Sequence, residues 1–309
     1  MDSNLRKQID ELKPEAIKNA KAIAGADKMV HVNGTRYKLP LEGRTINMVY
    51  YKTEKENAPL IIGYHGGGFL YGGCALDDDL WCAVRDTLKV NIASIGYRQS
   101  PDYKWDVCLA DCCDAAVYLK EHSTEYGFDG ENISVMGQSA GGNLAAAVSL
   151  KMGQTKEVSL KNEIMVYPFL DVYTDPSQKG DGSFSGLLPI VMNELHCTRE
   201  EALDPFCSPI YATDEMIKAL PNTICAVSED DNLRPEGVKY CERLKSLGVS
   251  THLMLAKGMP HGYIENGFRK KFRESDMEFL GKNGEQIVKD GSLRRVSEET
   301  LSFIKENMA

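Results

Sequence analysis

Short apolar runs alternate with longer stretches of helical period through most of this chain. Residues 59–64 (PLIIGY), 90–97, 132–137 (NISVMG) and 163–168 are continuous apolar or β-branched runs, the pattern of strands buried on both faces. The intervening segments, near 77–88, 106–126 and 140–152, read as helices. In the last of them Leu144, Ala147 and Val148 share one face of a stretch rich in good helix formers. Such alternation predicts a mostly parallel, doubly wound α/β sheet. The rhythm breaks after Pro168. Residues 172–204 hold a polar, Gly-rich turn and then an apolar stretch at 184–195; strand, helix and strand resume at 223–227, near Pro235-Glu236, and at 251–256. Ahead of the alternation, residues 1–25 read as helix, with Leu5, Ile9 and Leu12 on one face and Pro14 opening a second segment through Ile17, Ala20 and Ile23. Residues 29–53 read as antiparallel strands joined at Asn33-Gly34. No internal repeat or low-complexity segment is visible.

Composition narrows the class. A chain of 309 residues, 42% hydrophobic and 26% charged, suits one elaborated globular domain spanning 1–309. The net charge of −9 and the lack of a basic stripe argue against nucleic acid as a partner. The first residues, MDSNLRKQID, hold no apolar core, and no run is long enough to span a bilayer. Nine cysteines form an odd set without CxxC spacing, which points to reduced, buried thiols, no metal site and a cytoplasmic location.

Candidate chemistry lies in four segments whose order matters. His65-Gly66-Gly67-Gly68 follows a strand; Gly137-Gln138-Ser139-Ala140-Gly141 joins a strand to a helix; Asp231-Asn232-Leu233-Arg234 follows a third strand; Pro260-His261-Gly262 follows a fourth. Serine-based acyl transfer needs an oxyanion cradle, a nucleophile, an acid and a base, and the Ser…Asp…His order is one that hydrolases use. At a strand-to-helix turn the backbone around Ser139 must reverse sharply, so small neighbours are needed on both sides, and the helix N-terminus offers N–H groups to a developing anion. Three consecutive glycines bare the backbone of the first segment to a substrate oxygen; neither GK[ST] nor GxGxxG is present to suggest phosphate binding. His65 reads as a brace for that loop. Of six histidines, His252 falls inside a strand run, whereas His261 sits on a Pro- and Gly-flanked turn one strand and one helix beyond the acid segment. Spacing alone does not choose among Glu229, Asp230 and Asp231 as the acid.

The set resembles the bacterial hormone-sensitive-lipase-like branch of the α/β-hydrolases, whose members carry HGGG, a YRLAPE-like segment, GDSAGG and a DPLRDEG-like segment before a final HG. Here these read His65-Gly66-Gly67-Gly68, Tyr97-Arg98-Gln99-Ser100-Pro101-Asp102, Gly137-Gln138-Ser139-Ala140-Gly141-Gly142, Asp231-Asn232-Leu233-Arg234-Pro235-Glu236-Gly237 and His261-Gly262. The resemblance runs from about Leu60 to Gly262. It implies an α/β-hydrolase fold, serine carboxylesterase activity on a small-molecule ester without a cofactor, Asp231 as the acid, and the amides of Gly67, Gly68 and Ala140 as oxyanion donors. Two departures stand out: Gln138 replaces the acidic residue usual before the nucleophile, and Gln99-Ser100 replace Leu-Ala.

Segment 172–204 follows a central strand, above the carboxyl ends where open α/β sheets bind ligands. With residues 1–28 it reads as a small helical cap, and the resemblance implies the same. Leu187, Leu188, Val191 and Met192 are then expected to line an acyl or alcohol pocket, favouring acyl groups of about two to six carbons, since each methylene gains roughly 0.8 kcal/mol only while apolar surface remains to cover it. An amide or formamide hydrolase would share the whole apparatus. A non-catalytic binding module on this fold should have lost one of Ser139, Asp231 and His261, and all three are present.

Overall fold

The computed structural model describes residues 3–309 apart from 181, 183, 185, 273–276, 278, 279 and 282. Eight strands form one sheet: β1 (Thr35–Leu41), β2 (Arg44–Tyr51), β3 (Leu60–Tyr64), β4 (Asn91–Gly96), β5 (Ile133–Gln138), β6 (Leu160–Val166), β7 (Asn222–Asp230) and β8 (Thr251–Pro260). Their spatial order is β1-β2-β4-β3-β5-β6-β7-β8. The pairs β1–β2 and β2–β4 are antiparallel, and every later pair is parallel.

Burial explains which strands became central. All of β3 and β5 and nearly all of β4 are buried, whereas the edge strand β1 exposes most of its residues. Helices cover both faces. On one side, helices Trp105–Glu121 and Ala140–Thr155 pack Cys108, Cys112, Leu144 and Val148 against Ile62 and Val135. On the other, helices Asp78–Leu88 and Ser292–Asn307 bring Trp81, Val84, Leu293 and Leu301 onto Ile61 and Met136. The chain winds outward from β3 to β4 and then returns to place β5 on the other side of β3. That reversal opens a crevice at the carboxyl ends of β3 and β5, the position where open α/β sheets take ligands.

Two sequence expectations are corrected. The first hairpin turns at Glu42-Gly43, with Leu41 paired to Arg44 and Gly43 at φ 69°, and not at Asn33-Gly34. Gly34 serves a close approach instead: a Cβ there would stand 2.7 Å from Val49 Cγ1 and 2.8 Å from the Tyr50 carbonyl oxygen. Pro14 does not open a second segment; it lies inside one helix, Ser3–Met29. An interior proline costs about 3 kcal/mol. Burial of Ile9, Ala16 and Ala20 on the main core offsets that cost, and Arg6 and Lys13, both in the turns ahead of the proline, pair with Glu194 at 2.9 and 2.7 Å.

Glu194 belongs to helix Leu188–His196, so the N-terminal helix and segment 172–204 touch one another. Residues 1, 2, 181, 183 and 185 of the two expected cap segments lie outside the described residues. All nine cysteines are free thiols, eight of them buried.

Glu163 on β6 is fully buried, and neither carboxyl oxygen has a partner within hydrogen-bond distance among the described residues. Burial pushes this carboxyl from 4.5 up to about 8, eased only by the nearby Ser149 hydroxyl. A carboxyl whose pKa is raised on folding contributes most below its unfolded value and loses that contribution as pH rises through the folded value. Glu163→Gln should therefore flatten the fall in stability over that interval and raise Tm at its alkaline end, by about 2–4 °C for each kcal/mol gained. Thermal melts of both proteins across the interval check this; parallel pH profiles would refute it.

Candidate active site

Ser139 stands between β5 and helix Ala140–Thr155 with φ 56° and ψ −120°, a conformation a non-glycine residue holds only when its surroundings over-determine it. They do. Its amide donates to the Val166 carbonyl at 3.0 Å, and its own carbonyl accepts from Asn143 and Phe169, each at 3.1 Å. The flanking glycines are obligatory: a Cβ on Gly137 would lie 2.1 Å from the Gly141 oxygen, and one on Gly141 would lie 1.9 Å from the Tyr64 oxygen.

His261 follows β8 and Asp231 follows β7, so both arrive from carboxyl ends of neighbouring strands. His261 Nε2 is 2.9 Å from Ser139 Oγ, and His261 Nδ1 is 2.7 Å from Asp231 Oδ2. The other Asp231 oxygen accepts the Leu233 amide at 2.9 Å. With Nδ1–H donating to the carboxylate, Nε2 presents a lone pair to the serine hydroxyl. All three side chains are nearly closed to solvent, at 5%, 3% and 4% exposed for Ser139, His261 and Asp231. Glu229 and Asp230, the other two carboxylates of the acid segment, are exposed, and Glu229 accepts the Gly258 amide at 2.8 Å. The imidazole lies between Phe184, stacked at 4.5 Å, and Tyr167, tilted at 4.7 Å. Burial holds the Tyr167 phenol well above its usual range, and its hydroxyl donates to Glu265.

The glycine segment arches over Ser139. A Cβ on Gly66 would be 3.5 Å from Ser139 Cβ. The Gly67 carbonyl accepts the Leu70 and Tyr71 amides, and Gly67 and Gly68 adopt φ of 111° and 59°. Among the described residues the amides of Gly67, Gly68 and Ala140 have no protein acceptor, which leaves them free for a substrate oxygen. His65 braces the loop from behind. Its Nδ1–H donates to the Gly66 oxygen at 2.8 Å, its ring stacks on Tyr97 at 4.3 Å, and burial lowers its pKa, which favours the neutral ring.

Of the four residues expected to line a pocket, Leu187, Val191 and Met192 join the main core and Leu188 does not. Val191 is fully buried in the core and Leu187 is half-buried against it. Leu188 is 42% exposed, because it opens its helix one turn short of the contact with the glycine loop. Met192 makes that contact: its Sδ would be 2.2 Å from a Cβ on Gly68. Several contributors carried no motif. Phe184 lies in an irregular stretch, Asn143 ties helix Ala140–Thr155 to the Phe169 and Cys207 carbonyls, and His196 stacks on Phe69 at 3.8 Å with Nδ1 3.2 Å from Ser100 Oγ. The histidine and aromatics were visible only as composition, since their partners are remote in sequence.

Comparison with known proteins identifies the family. Residues 61–265 match the family described as alpha/beta hydrolase fold, and the chain belongs to it. It is 29% identical over 268 residues to an arylesterase of Saccharolobus solfataricus, covering 84% of this chain and 83% of that protein. It is 25% identical to an ethyl acetate hydrolase of Pseudomonas putida, with 73% and 74% of the two chains covered. An esterase structure from Pyrobaculum calidifontis superposes with a TM-score of 0.77 at 23% identity, over 100% of this chain and 94% of that one. Within the family the chain groups with carboxylic ester hydrolases. Among the described residues no helix is long and apolar enough to cross a membrane.

Gly141→Ala should be among the most damaging small substitutions, because its methyl would meet backbone of β3 that cannot rotate away. A loss of at least about 2 kcal/mol in denaturant unfolding is expected, the upper range for overpacking. Unfolding at the wild-type midpoint would show that the helix start can shift.

Proposed function

We propose that this protein is a serine carboxylesterase of short-acyl esters, with Ser139 as nucleophile, His261 as base and acid, and Asp231 as the residue that orients His261. The carrying observation is the unbroken Asp231–His261–Ser139 chain at 2.7 and 2.9 Å. His261 takes the Ser139 proton as Oγ attacks the ester carbonyl, and Asp231 stabilises the imidazolium. The amides of Gly67, Gly68 and Ala140 receive the oxyanion, where each donor is worth about 10²–10³ in turnover. His261 then protonates the leaving alcohol and activates the water that cleaves the acyl-enzyme. No step calls for a cofactor.

Acyl length is read from Met192. Its thioether over Gly68 bounds the space beside the oxyanion donors, and helices Ser3–Met29 and Leu188–His196, joined through Glu194, act as the cap above it. The similarity to an ethyl acetate hydrolase supports an acyl group as small as acetyl.

Ser139→Ala should leave the fold intact and abolish both turnover and fluorophosphonate labelling. Asp231→Asn should cost about 10⁴ in kcat by presenting the wrong partner to Nδ1–H, whereas Asp230→Asn should cost little. Retained turnover in a clean Ser139→Ala preparation would overturn the mechanism, and a crippling Asp230→Asn would reassign the acid.

Met192→Ala should move the optimum of a nitrophenyl-ester series toward longer acyl chains, each added methylene gaining up to roughly 0.8 kcal/mol where the vacated space accepts it. An unchanged profile would mean that Met192 does not bound the acyl site.

A further inference from the structure

Gln138 stands where the resembling family carries an acid, and the structure supplies a carboxyl from elsewhere. Asp77, just ahead of helix Asp78–Leu88, accepts a hydrogen bond from Gln138 Nε2 at 2.7 Å. Gln138 is 1% exposed, and its Oε1 is buried with no partner among the described residues. Asp77 is faced on its other sides by Glu265 and Arg269 from the segment after His261, by Asp27 from the N-terminal helix, and by the Tyr97 and Tyr167 phenols. Glu265 accepts the Tyr167 hydroxyl, and the Tyr167 ring packs on His261. Polar groups thus run, through half-buried Asp77 and Glu265, from the residue before Ser139 to the ring that backs His261.

We propose that Asp77 is a positioning residue that acts through Gln138 on the strained turn carrying Ser139, and that an amide occupies position 138 because a second carboxyl would face Asp77. This rests on the catalytic reading of Ser139. The turn is held at φ 56° by its surroundings; a side-chain anchor on the preceding residue is one of few ways to fix where Oγ points. Small misplacements matter here, since about 1 Å can cost 10²-fold in rate. The charge argument is equally direct. Burial, Glu265 and Asp27 push the Asp77 carboxyl up, while Arg269 and the Gln138 bond pull it back, leaving it at about 7. Two carboxyls in hydrogen-bond contact cannot both ionise without cost, so an acid at 138 would keep a shared proton to higher pH or push the pair apart.

The test uses the full chain, with ester kcat and the rate of fluorophosphonate labelling followed against pH and folding checked by circular dichroism. Gln138→Glu should match wild-type closely at acid pH and lose about tenfold or more in both rates at alkaline pH, the effect of losing a charge-assisted hydrogen bond, with KM little changed. Adding Asp77→Asn to Gln138→Glu exchanges amide and carboxyl across the contact and should restore the alkaline rates. Asp77→Asn alone sets amide against amide and should lower kcat about three- to tenfold with a flatter pH profile. A wild-type profile for Gln138→Glu, or a double variant no better than that single one, overturns the proposal. If Gln138→Glu does not fold, Asp77→Asn decides: wild-type kcat and pH profile overturn the proposal, and the flattened loss supports it. Absence of Ser139 labelling in the wild-type protein would instead remove the catalytic reading itself, whereas equal labelling in every variant removes only the role of Asp77.

Discussion

A serine held at φ 56° and ψ −120° is worth about 1–3 kcal/mol of strain, and the rest of the site depends on how the backbone around it absorbs that cost. Three backbone hydrogen bonds fix its peptide groups to β6, to its own helix and to the chain leaving β6. The bare Cα of Gly141 lets the helix start press onto the end of β3, against the Tyr64 and His65 carbonyls. Because His65-Gly66-Gly67-Gly68 begins there, one contact both permits the turn and sets the distance from Ser139 to the glycine loop. Ser139 and the free amides are consequently a single backbone construction. The sheet order adds the remaining pieces, since β7 and β8 lie on the β5 side of β3 and deliver Asp231 and His261 to the same end.

This dependence explains what could be read in the sequence. Central strands and glycine-bounded turns are locally encoded, because continuous apolar runs and close backbone approach each demand particular residues at particular positions. The doubly wound sheet and the four segments were accordingly legible, and Ser139, His261 and Asp231 meet where the turns bring them. Choosing Asp231 over its neighbours needed the resemblance, since three adjacent carboxylates differ only in the direction a strand end gives them. Contacts made at a distance left no local mark. Asn33-Gly34 looks like a hairpin turn and is in fact a close crossing of β2, and Pro14 looks like a helix start and is carried by tertiary packing. The four pocket candidates could not be ranked from the sequence for the same reason: helical period alone cannot say which turn of Leu188–His196 reaches the glycine loop.

Segment 172–204 is bound to the backbone construction at points that bear on chemistry. Met192 lies on Gly68 and His196 stacks on Phe69, the two residues that end the glycine loop, while Phe184 covers the imidazole. Burial, with Lys104 adding to it, lowers His196 to about 3, so its ring stays neutral and the stack keeps the same charge wherever an esterase works. Phe69 sits at φ 61° and its carbonyl accepts the Ser100 amide, and Ser100 in turn meets His196. A closed circuit therefore joins the helix over the site, the glycine loop and the segment after β4. Moving that helix cannot leave the loop unaffected, because Gly68 offers no side chain to buffer the displacement of Met192. On the proposed reading, what bounds the acyl space and what aims the oxyanion donors are the same contact, so substrate size and turnover should be mechanically coupled through it.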